Sequence, residues 1–277
     1  MASGAEREPG AMQTSRSPQR ASSSTKLPAK AWFTLPSDMD VVTCLHGFSQ
    51  HGDSWEELIG LVGPRFRWLA PDLTATNLED AVADVLGLWD REGVTRSHLV
   101  GYSQGGRLAL YLAAGHPERL RTLTVISAHA GLEEAARRQR LEQDQALAEQ
   151  IEREGVDWFA GYWAARSIFD GLQRRGTAFL GRLDAGRRRN DPARLAAALR
   201  GMGPGATAPF WDRLDRIQAP SLLLAGAEDP TYVDFAARLA QAIPRARAVI
   251  VPGAGHAVHL EQPEATARLL ADHLSSR

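Results

Sequence analysis

The sequence has little of what a secreted, membrane-bound or nucleic-acid-binding protein needs. Its 277 residues include a single cysteine, Cys44, which rules out an internal disulfide and cannot by itself form a thiolate metal site. The formal net charge is -1, which leaves no excess of positive charge to hold a phosphate backbone. No apolar run approaches the roughly 18 residues of a membrane-spanning helix, and the N-terminal segment lacks the apolar core of a signal peptide. We therefore expect a cytoplasmic protein that binds neither membranes nor nucleic acid.

Two parts of the chain differ in composition and pattern. Residues 1–30 are rich in Ser, Ala, Arg and Pro without apolar periodicity, which is typical of a disordered tail, a transit-like extension or a cloning remnant. After them, short apolar runs alternate with helical patterns, which predicts a doubly wound α/β domain, a parallel sheet covered by helices on both faces. The six predicted strands are VVTCLHG (41–47), FRWLAPDL (66–73), SHLVGYS (97–103), LTVISA (123–128), SLLLAGA (221–227) and AVIVPGAG (248–255).

One long stretch interrupts this alternation. Residues 130–212 contain helical patterns and the aromatic segment DWFAGYWAARSIF, with no convincing strand. An all-helical insertion between two core strands predicts a cap over the carboxyl ends of the sheet, where open α/β sheets bind ligands. The core would then consist of residues 31–129 and 213–277. The alternative is a surface helical hairpin whose aromatic residues form a core of their own.

A serine stands between two glycines in LVGYSQGG, residues 99–106, at the end of an apolar run and the start of a helical one. In a nucleophile elbow, Gly101 and Gly105 would leave room for a sharp strand-to-helix turn that exposes the Ser103 hydroxyl in a pocket. The pattern G-x-S-x-G also arises by chance, because glycine makes up about 7% of average sequences. The motif therefore gains its weight from its context.

The context is a possible catalytic triad. A serine hydroxyl becomes reactive only beside a base, most often a histidine oriented by a carboxylate. On this type of sheet the three groups follow the order Ser, Asp or Glu, His, each in a loop after a strand. Asp229 follows SLLLAGAE and His256 follows AVIVPGAG, so the sequence supplies this order. Singly, the aspartate before Pro230 could be a turn former and the histidine a solvated one. Together with Ser103 they predict a triad.

Two further features border the predicted site. The segment LHGFSQHGDSW would supply the Phe48 amide, which with the Gln104 amide predicts an oxyanion hole; an ordinary strand-to-helix turn is the alternative. Arg107 lies one helical turn beyond Ser103, and side chains at i and i+4 share a helix face. A charge at the edge of so apolar a helix needs a partner. That partner is either an internal acid or a substrate carboxylate, and the spacing favours neither.

The segments LHGF, GYSQGG, GAEDP and GAGHAVHLEQPE resemble the α/β-hydrolase superfamily. Within it, residues 40–270 resemble the SHCHC synthase family, the 2-succinyl-6-hydroxy-2,4-cyclohexadiene-1-carboxylate synthases of menaquinone biosynthesis. This narrower resemblance rests on GYSQGGRLALYLA, SAHAGLEE, RRQRLEQDQALA, WFAGYWAARSIF and LRGMGPGATAPFWDRL. It implies a cofactor-free lyase in which Ser103, made basic by His256 and Asp229, removes a proton from a polycarboxylate and so triggers elimination of pyruvate.

The same resemblance implies which side chains bind the substrate. Arginines would hold its carboxylates through bidentate contacts. The best-matching positions are Arg107, Arg140 and Arg187, with Arg138 as the alternative to Arg140, and Arg188 or Arg189 as alternatives to Arg187.

Two aromatic residues also match the family, and two features of the sequence differ from it. Tyr102 and Trp163 match aromatic residues of the family's pocket, and both are also suited to packing. Gln104 occupies a position where this family commonly has methionine. The segment PDLTATNLEDA runs straight into a helix, where the family usually has a glycine and histidine turn. This wall of the pocket is therefore expected to differ.

Other functions share parts of this pattern. A carboxylesterase or related serine hydrolase needs the same triad, with Ser103 as covalent nucleophile, but its pocket would be mostly apolar. A non-catalytic binding protein of this fold would not need an intact triad. The pairs His46 with His51 and His256 with His259 lack a recognised metal-binding spacing. The sequence thus predicts an enzyme without metal or cofactor, acting on a small polycarboxylate as a monomer or small homo-oligomer.

Overall fold

The computed structural model of the protein describes Met1 and residues 39–275. The predicted tail, residues 1–30, lies outside these described residues except for Met1. The strands are β1 Val41–Leu45, β2 Arg67–Leu69, β3 Ser97–Tyr102, β4 Leu120–Ile126, β5 Ser221–Gly226 and β6 Ala246–Val251. They form one sheet in the order β2-β1-β3-β4-β5-β6, and all neighbours pair in parallel. The predicted α/β fold is confirmed.

Helices connect the strands of this sheet. The α-helices are α1 Glu56–Val62, α2 Leu78–Arg91, α3 Gln104–Gly115, α4 Glu134–Ala164, α5 Thr177–Arg188, α6 Pro192–Met202, α7 Pro230–Ala242, α8 Val258–Glu261 and α9 Pro263–Ser275. Short 3-10 helices span Gly52–Trp55, Pro117–Arg119, Ser167–Arg175 and Trp211–Arg216. In the described part of the chain, no helix has the length and apolarity to cross a membrane.

The sheet is covered on both faces, which explains its continuous apolar strands. β1, β3 and β5 are buried along their whole length. Helices α2, α3 and α7 pack one cluster of apolar side chains onto one face, and α1 and α9 contribute to a second cluster. Burial of each Leu or Ile side chain stabilises the fold by roughly 1.5–3 kcal/mol. The buried indole of Trp89 donates a hydrogen bond of 2.7 Å to the Thr43 hydroxyl, so its polar atom is satisfied.

The cap, defined here as residues 130–212, contains helices and no strand among the described residues. Its apolar residues Phe159, Trp163 and Leu195 belong to the same cluster as Val100 and Ile126 of the sheet. Phe159 and Trp163 therefore pack against the core, whereas Tyr162 of the same segment is exposed.

Helix α4 is longer than its sequence pattern suggests. The pattern EEAARRQRLEQDQALAEQIEREG predicts a helix that ends at Gly155. The helix continues to Ala164 after a kink at this glycine, whose φ of 83° is left-handed. No atom lies within 4 Å of a Cβ built at Gly155, so its backbone angle and not crowding requires glycine.

Candidate active site

The elbow after β3 needs the two glycines that flank its serine. Ser103 has a φ of 51° and begins α3, and its amide donates to the Ile126 carbonyl at 2.9 Å. A Cβ at Gly101 would overlap the Gly105 carbonyl, and a Cβ at Gly105 would overlap the Leu45 carbonyl. Only hydrogen at both positions allows helix and strand to approach this closely, so the G-x-S-x-G pattern has a steric cause here.

The three residues of the predicted triad meet at the carboxyl end of the sheet. His256 Nε2 lies 3.1 Å from Ser103 Oγ, and His256 Nδ1 lies 2.9 Å from Asp229 Oδ2. His256 is 4% exposed. A neutral imidazole that donates from Nδ1 to the carboxylate leaves Nε2 free to accept the serine proton. This arrangement makes Ser103 a competent base or nucleophile.

The two residues of the predicted oxyanion hole, Phe48 and Gln104, line the same cavity as Ser103. The Gln104 amide is the first of α3, and first-turn amides have no acceptor within their own helix. His46 fixes the loop that contains Phe48, because its Nε2 accepts from the Leu73 amide at 2.8 Å while its Nδ1 donates to the Gly47 carbonyl at 2.9 Å. Burial lowers the pKa of His46 to about 4, so this histidine is a neutral structural group.

A cavity of about 270 Å³ lies between the triad and the cap. Its only acid among the described residues is Asp229 of the triad. The arginines that line it are Arg107, Arg140, Arg166 and Arg187. The excess of positive charge suits a ligand with several negative charges.

Arg107 is the most enclosed of these arginines. It is 4% exposed, and burial lowers the pKa of its guanidinium to about 10, which still leaves it charged at neutral pH. Its Nη2 donates to the Met202 carbonyl at 2.6 Å, and its Nε has no hydrogen-bond partner among the described residues. No carboxylate of the described residues forms an ion pair with it. The buried Asp144 is the internal acid that acts on Arg107, through its charge and without an ion pair.

The structure also separates the alternative arginines of the cap. Arg140 lines the cavity and pairs with the buried Asp144 at 2.7 Å, whereas Arg138 is 70% exposed and pairs with Glu134 at 3.5 Å. Arg187 lines the cavity and forms no ion pair among the described residues.

The neighbours of Arg187 point elsewhere. Arg188 pairs with Asp157 and Asp184, and Arg189 pairs with Asp53 at 2.7 Å. Neither lines the cavity, although Arg189 lines two neighbouring ones. Of the alternative cap arginines, Arg140 and Arg187 are thus the ones that line the cavity.

Tyr102 and Trp163 both line the cavity and also pack. The ring centroid of Tyr102 lies 5.5 Å from that of His256, and burial raises the pKa of its phenol well above the ordinary value. Trp163 packs edge-on against Phe48 with centroids 5.2 Å apart. The functional and packing interpretations therefore coexist at both residues.

Sequence reasoning missed several polar residues of the cavity wall, among them Arg166, Tyr232 and His129. Arg166 donates from Nη1 to the Tyr162 hydroxyl at 2.9 Å, and the Tyr232 ring lies 4.5 Å from that of His256. His129 accepts from the Gly131 amide at Nδ1, so its ring proton lies on Nε2 and can be donated. Burial holds the pKa of His129 well below its ordinary value. Its segment SAHAGLEE contributed to the resemblance and was the available signal.

The histidine pairs weighed as metal ligands do not form a site. Both ring nitrogens of His46 form hydrogen bonds with backbone groups. Both ring nitrogens of His256 form hydrogen bonds with Asp229 and Ser103. Within the described residues, no group of three or more His, Cys, Asp or Glu side chains could hold a metal ion.

Comparison with known proteins identifies relatives over most of the chain. A family model described as the alpha/beta hydrolase family matches residues 44–269. A Bacillus subtilis (strain 168) protein described as a candidate 2-succinyl-6-hydroxy-2,4-cyclohexadiene-1-carboxylate synthase is 34% identical, over 87% of this chain and 92% of that protein. The synthase of the same name from Serratia proteamaculans (strain 568) is 30% identical, over 83% and 91%.

Two solved structures show the same fold. MenH from S. aureus matches with a TM-score of 0.84 and 25% identity, over 89% of this chain and 97% of that chain. A thermophilic esterase from Thermogutta terrifontis matches with a TM-score of 0.77 and 24% identity, over 90% and 92%.

Proposed function

The chain belongs to the alpha/beta hydrolase family, and we propose that it is a lyase of menaquinone biosynthesis. It eliminates pyruvate from SEPHCHC, the succinyl enolpyruvyl precursor, to give 2-succinyl-6-hydroxy-2,4-cyclohexadiene-1-carboxylate (SHCHC). The names of the relatives that it matches over nine-tenths of their length support this reaction. The cytoplasmic location, the absence of a cofactor and the monomeric or small homo-oligomeric state expected from the sequence remain part of the proposal.

In this reaction the triad acts as a base. His256 Nε2 accepts the Ser103 proton, and the serine oxygen removes a proton from the substrate carbon next to the succinyl carbonyl. The electron pair of that C–H bond forms a ring C=C bond, the electron pair of the ring double bond already present shifts along the ring, and the C–O bond to the enolpyruvyl group breaks with its electrons on oxygen. The leaving enolate takes up a proton at its CH2 carbon and becomes pyruvate. The amides of Phe48 and Gln104 stabilise the negative charge that develops on the carbonyl oxygen.

The observation that supports this assignment is the set of cavity arginines. Arg107 and Arg187 form no ion pair among the described residues, although the charges of Asp144 and Asp184 act on them. A substrate with several carboxylates would supply the direct ion pairs. A carboxylesterase needs the same triad, but a neutral ester would supply no negative charge to these guanidinium groups.

Pyruvate release tests the proposal. Freshly made SEPHCHC is mixed with wild type, with Ser103→Ala or with no enzyme, because the substrate also eliminates spontaneously, and pyruvate is followed by a coupled dehydrogenase. We expect a large rate above the enzyme-free control that Ser103→Ala abolishes. The matched control is Ser275→Ala at the exposed end of α9, which should keep the full rate. No acceleration, combined with efficient turnover of p-nitrophenyl acetate, would instead assign the protein to the esterases.

A further inference from the structure

A fully buried carboxylate holds the loop that contains the catalytic histidine. The Glu261 side chain is 0% exposed. Its Oε2 accepts from the Gly255 amide at 2.7 Å, and its Oε1 accepts from the Ala257 amide at 3.0 Å. These two amides flank His256. Both carboxylate oxygens are therefore used to fix the backbone on either side of the base.

The cap lies directly on this carboxylate. A Cβ at Gly171, in the 3-10 helix Ser167–Arg175, would overlap Glu261 Oε2. From the same helix, Arg174 Nη2 lies 3.4 Å from that oxygen. A buried carboxylate needs compensating charge as well as hydrogen bonds, and Arg174 is the cation that supplies it.

Arg174 also reaches the loop that contains the catalytic acid. Its Nη2 lies 2.9 Å from Glu228 Oε2, and Glu228 immediately precedes Asp229. The same nitrogen lies 2.9 Å from the carbonyl of Gly253, three residues before His256. One guanidinium of the cap thus touches the loops after β5 and after β6.

The next residue attaches the same helix to neighbouring parts of the core. Arg175 donates from Nη1 to the Leu260 carbonyl, and its Nη2 lies 2.7 Å from Glu57 Oε1 on α1. Phe169, at the other end of the helix, has its ring centroid 6.2 Å from that of His256. The helix is therefore held along its length against the part of the core that contains the base.

We infer that Arg174 and Glu261 are positioning residues through which the seated cap aligns His256 with Asp229 and Ser103. The inference rests on the proposed catalytic use of the triad. It does not depend on whether the enzyme is a lyase or a hydrolase, because both reactions need the Ser103 Oγ proton to pass to His256. A displacement of a catalytic group by about 1 Å can lower a rate by about a hundredfold.

The test measures triad reactivity without substrate. The rate at which a fluorophosphonate probe labels Ser103 is followed against pH for the full-length wild type, Arg174→Ala, Arg174→Lys and Glu261→Gln. The matched control is Arg200→Ala, which removes a bidentate ion pair with Glu152 inside the cap.

We expect Arg174→Ala to slow labelling about fivefold, which corresponds to about 1 kcal/mol. Arg174→Lys keeps a cation within reach of the carboxylates and should recover most of the rate. Glu261→Gln can accept only one of the two flanking amides and should slow labelling about tenfold, with a shifted pH profile. Because Glu261→Gln could fail to fold, the Arg174 pair decides the question.

Equal labelling of wild type and Arg174→Ala would overturn the inference. So would an equal loss in Arg200→Ala, since any loosening of the cap would then explain the effect. Pyruvate release measured on the same samples separates the two proposals: normal probe labelling without pyruvate release would reject the lyase and leave the positioning role standing. In an active lyase, Arg174→Ala should lower kcat with KM little changed.

Discussion

With phenylalanine in place of His259, the free energy of unfolding should fall less between neutral and mildly acidic pH than it does in wild type. His259 is 1% exposed and stacks on Trp55 with ring centroids 4.5 Å apart. Neither ring nitrogen has a hydrogen-bond partner in the described part of the chain. Burial lowers the pKa of this imidazole from 6.5 to about 3, so the folded protein holds the ring in its neutral form. Phenylalanine keeps the stacking and removes the group that can be protonated.

The sign follows from the direction of this shift. A histidine whose folded pKa is lowered contributes its full stability above the unfolded pKa, near 6.5, and loses it as the pH falls toward the folded pKa. In that window the unfolded chain binds the extra proton. Each pH unit therefore removes about 1.4 kcal/mol of unfolding free energy, and the loss reaches about 2 kcal/mol at pH 5. Burial also lowers the pKa of His46 and His98, each to about 4, so wild type should lose stability steeply.

Urea unfolding of wild type and His259→Phe at pH 7.5, 6 and 5 measures this difference. We expect the variant to lose about 2 kcal/mol less than wild type between pH 7.5 and pH 5. His116→Phe, at the partly exposed end of α3, controls for the simple removal of a histidine and should follow wild type. Identical pH dependence of wild type and His259→Phe would refute the buried, neutral state assigned to His259.

Three further substitutions test the site and the elbow. Arg107→Ala should raise KM and lower kcat for SEPHCHC and leave turnover of small neutral esters nearly unchanged; an equal loss on both substrates would contradict its role as carboxylate anchor. Arg140→Ala should raise KM about tenfold or more, whereas Arg138→Ala, two residues away and exposed, should leave steady-state kinetics unchanged. Gly105→Ala should destabilise the fold by more than about 3 kcal/mol in thermal unfolding, because its Cβ overlaps the backbone of β1, while Gly60→Ala, with open space around it, should not.

The fold and the triad were predictable because both depend on local patterns. Continuous apolar strands alternating with helices specify a parallel sheet, and the carboxyl ends of such strands lie at one edge. Residues placed just after β3, β5 and β6 therefore lie at the same edge of the sheet, where short loops can bring their side chains together. Ser103, Asp229 and His256 come together for this reason, although Asp229 follows Ser103 by 126 positions that include the whole cap.

The cap residues that line the cavity were less predictable, because the helical cap has no sheet edge at which loop residues must meet. Arg138 and Arg140 are two residues apart on α4 and so face directions about 200° apart, but no pattern in the sequence specifies which face lies over the triad. The buried Asp144 fixes the orientation of Arg140. Its carboxylate forms an ion pair with Arg140 on the same helix and accepts a hydrogen bond from the Gly205 amide outside the helix. Arg166 follows the C-terminal end of the same helix, whose continuation beyond Gly155 the sequence pattern did not indicate.

The unpaired cavity arginines connect the fold to the choice of substrate. A guanidinium as enclosed as that of Arg107 loses hydration free energy when the protein folds, and the Met202 carbonyl returns only part of it. A substrate carboxylate supplies the remaining charge and hydrogen bonds, whereas a neutral ester of similar size cannot. The expected difference in binding free energy between the two ligands therefore comes from a guanidinium that the folded protein has already removed from water. The triad can serve either chemistry, so in the proposed function the positive charge beneath the cap is what favours a polycarboxylate over a neutral ester.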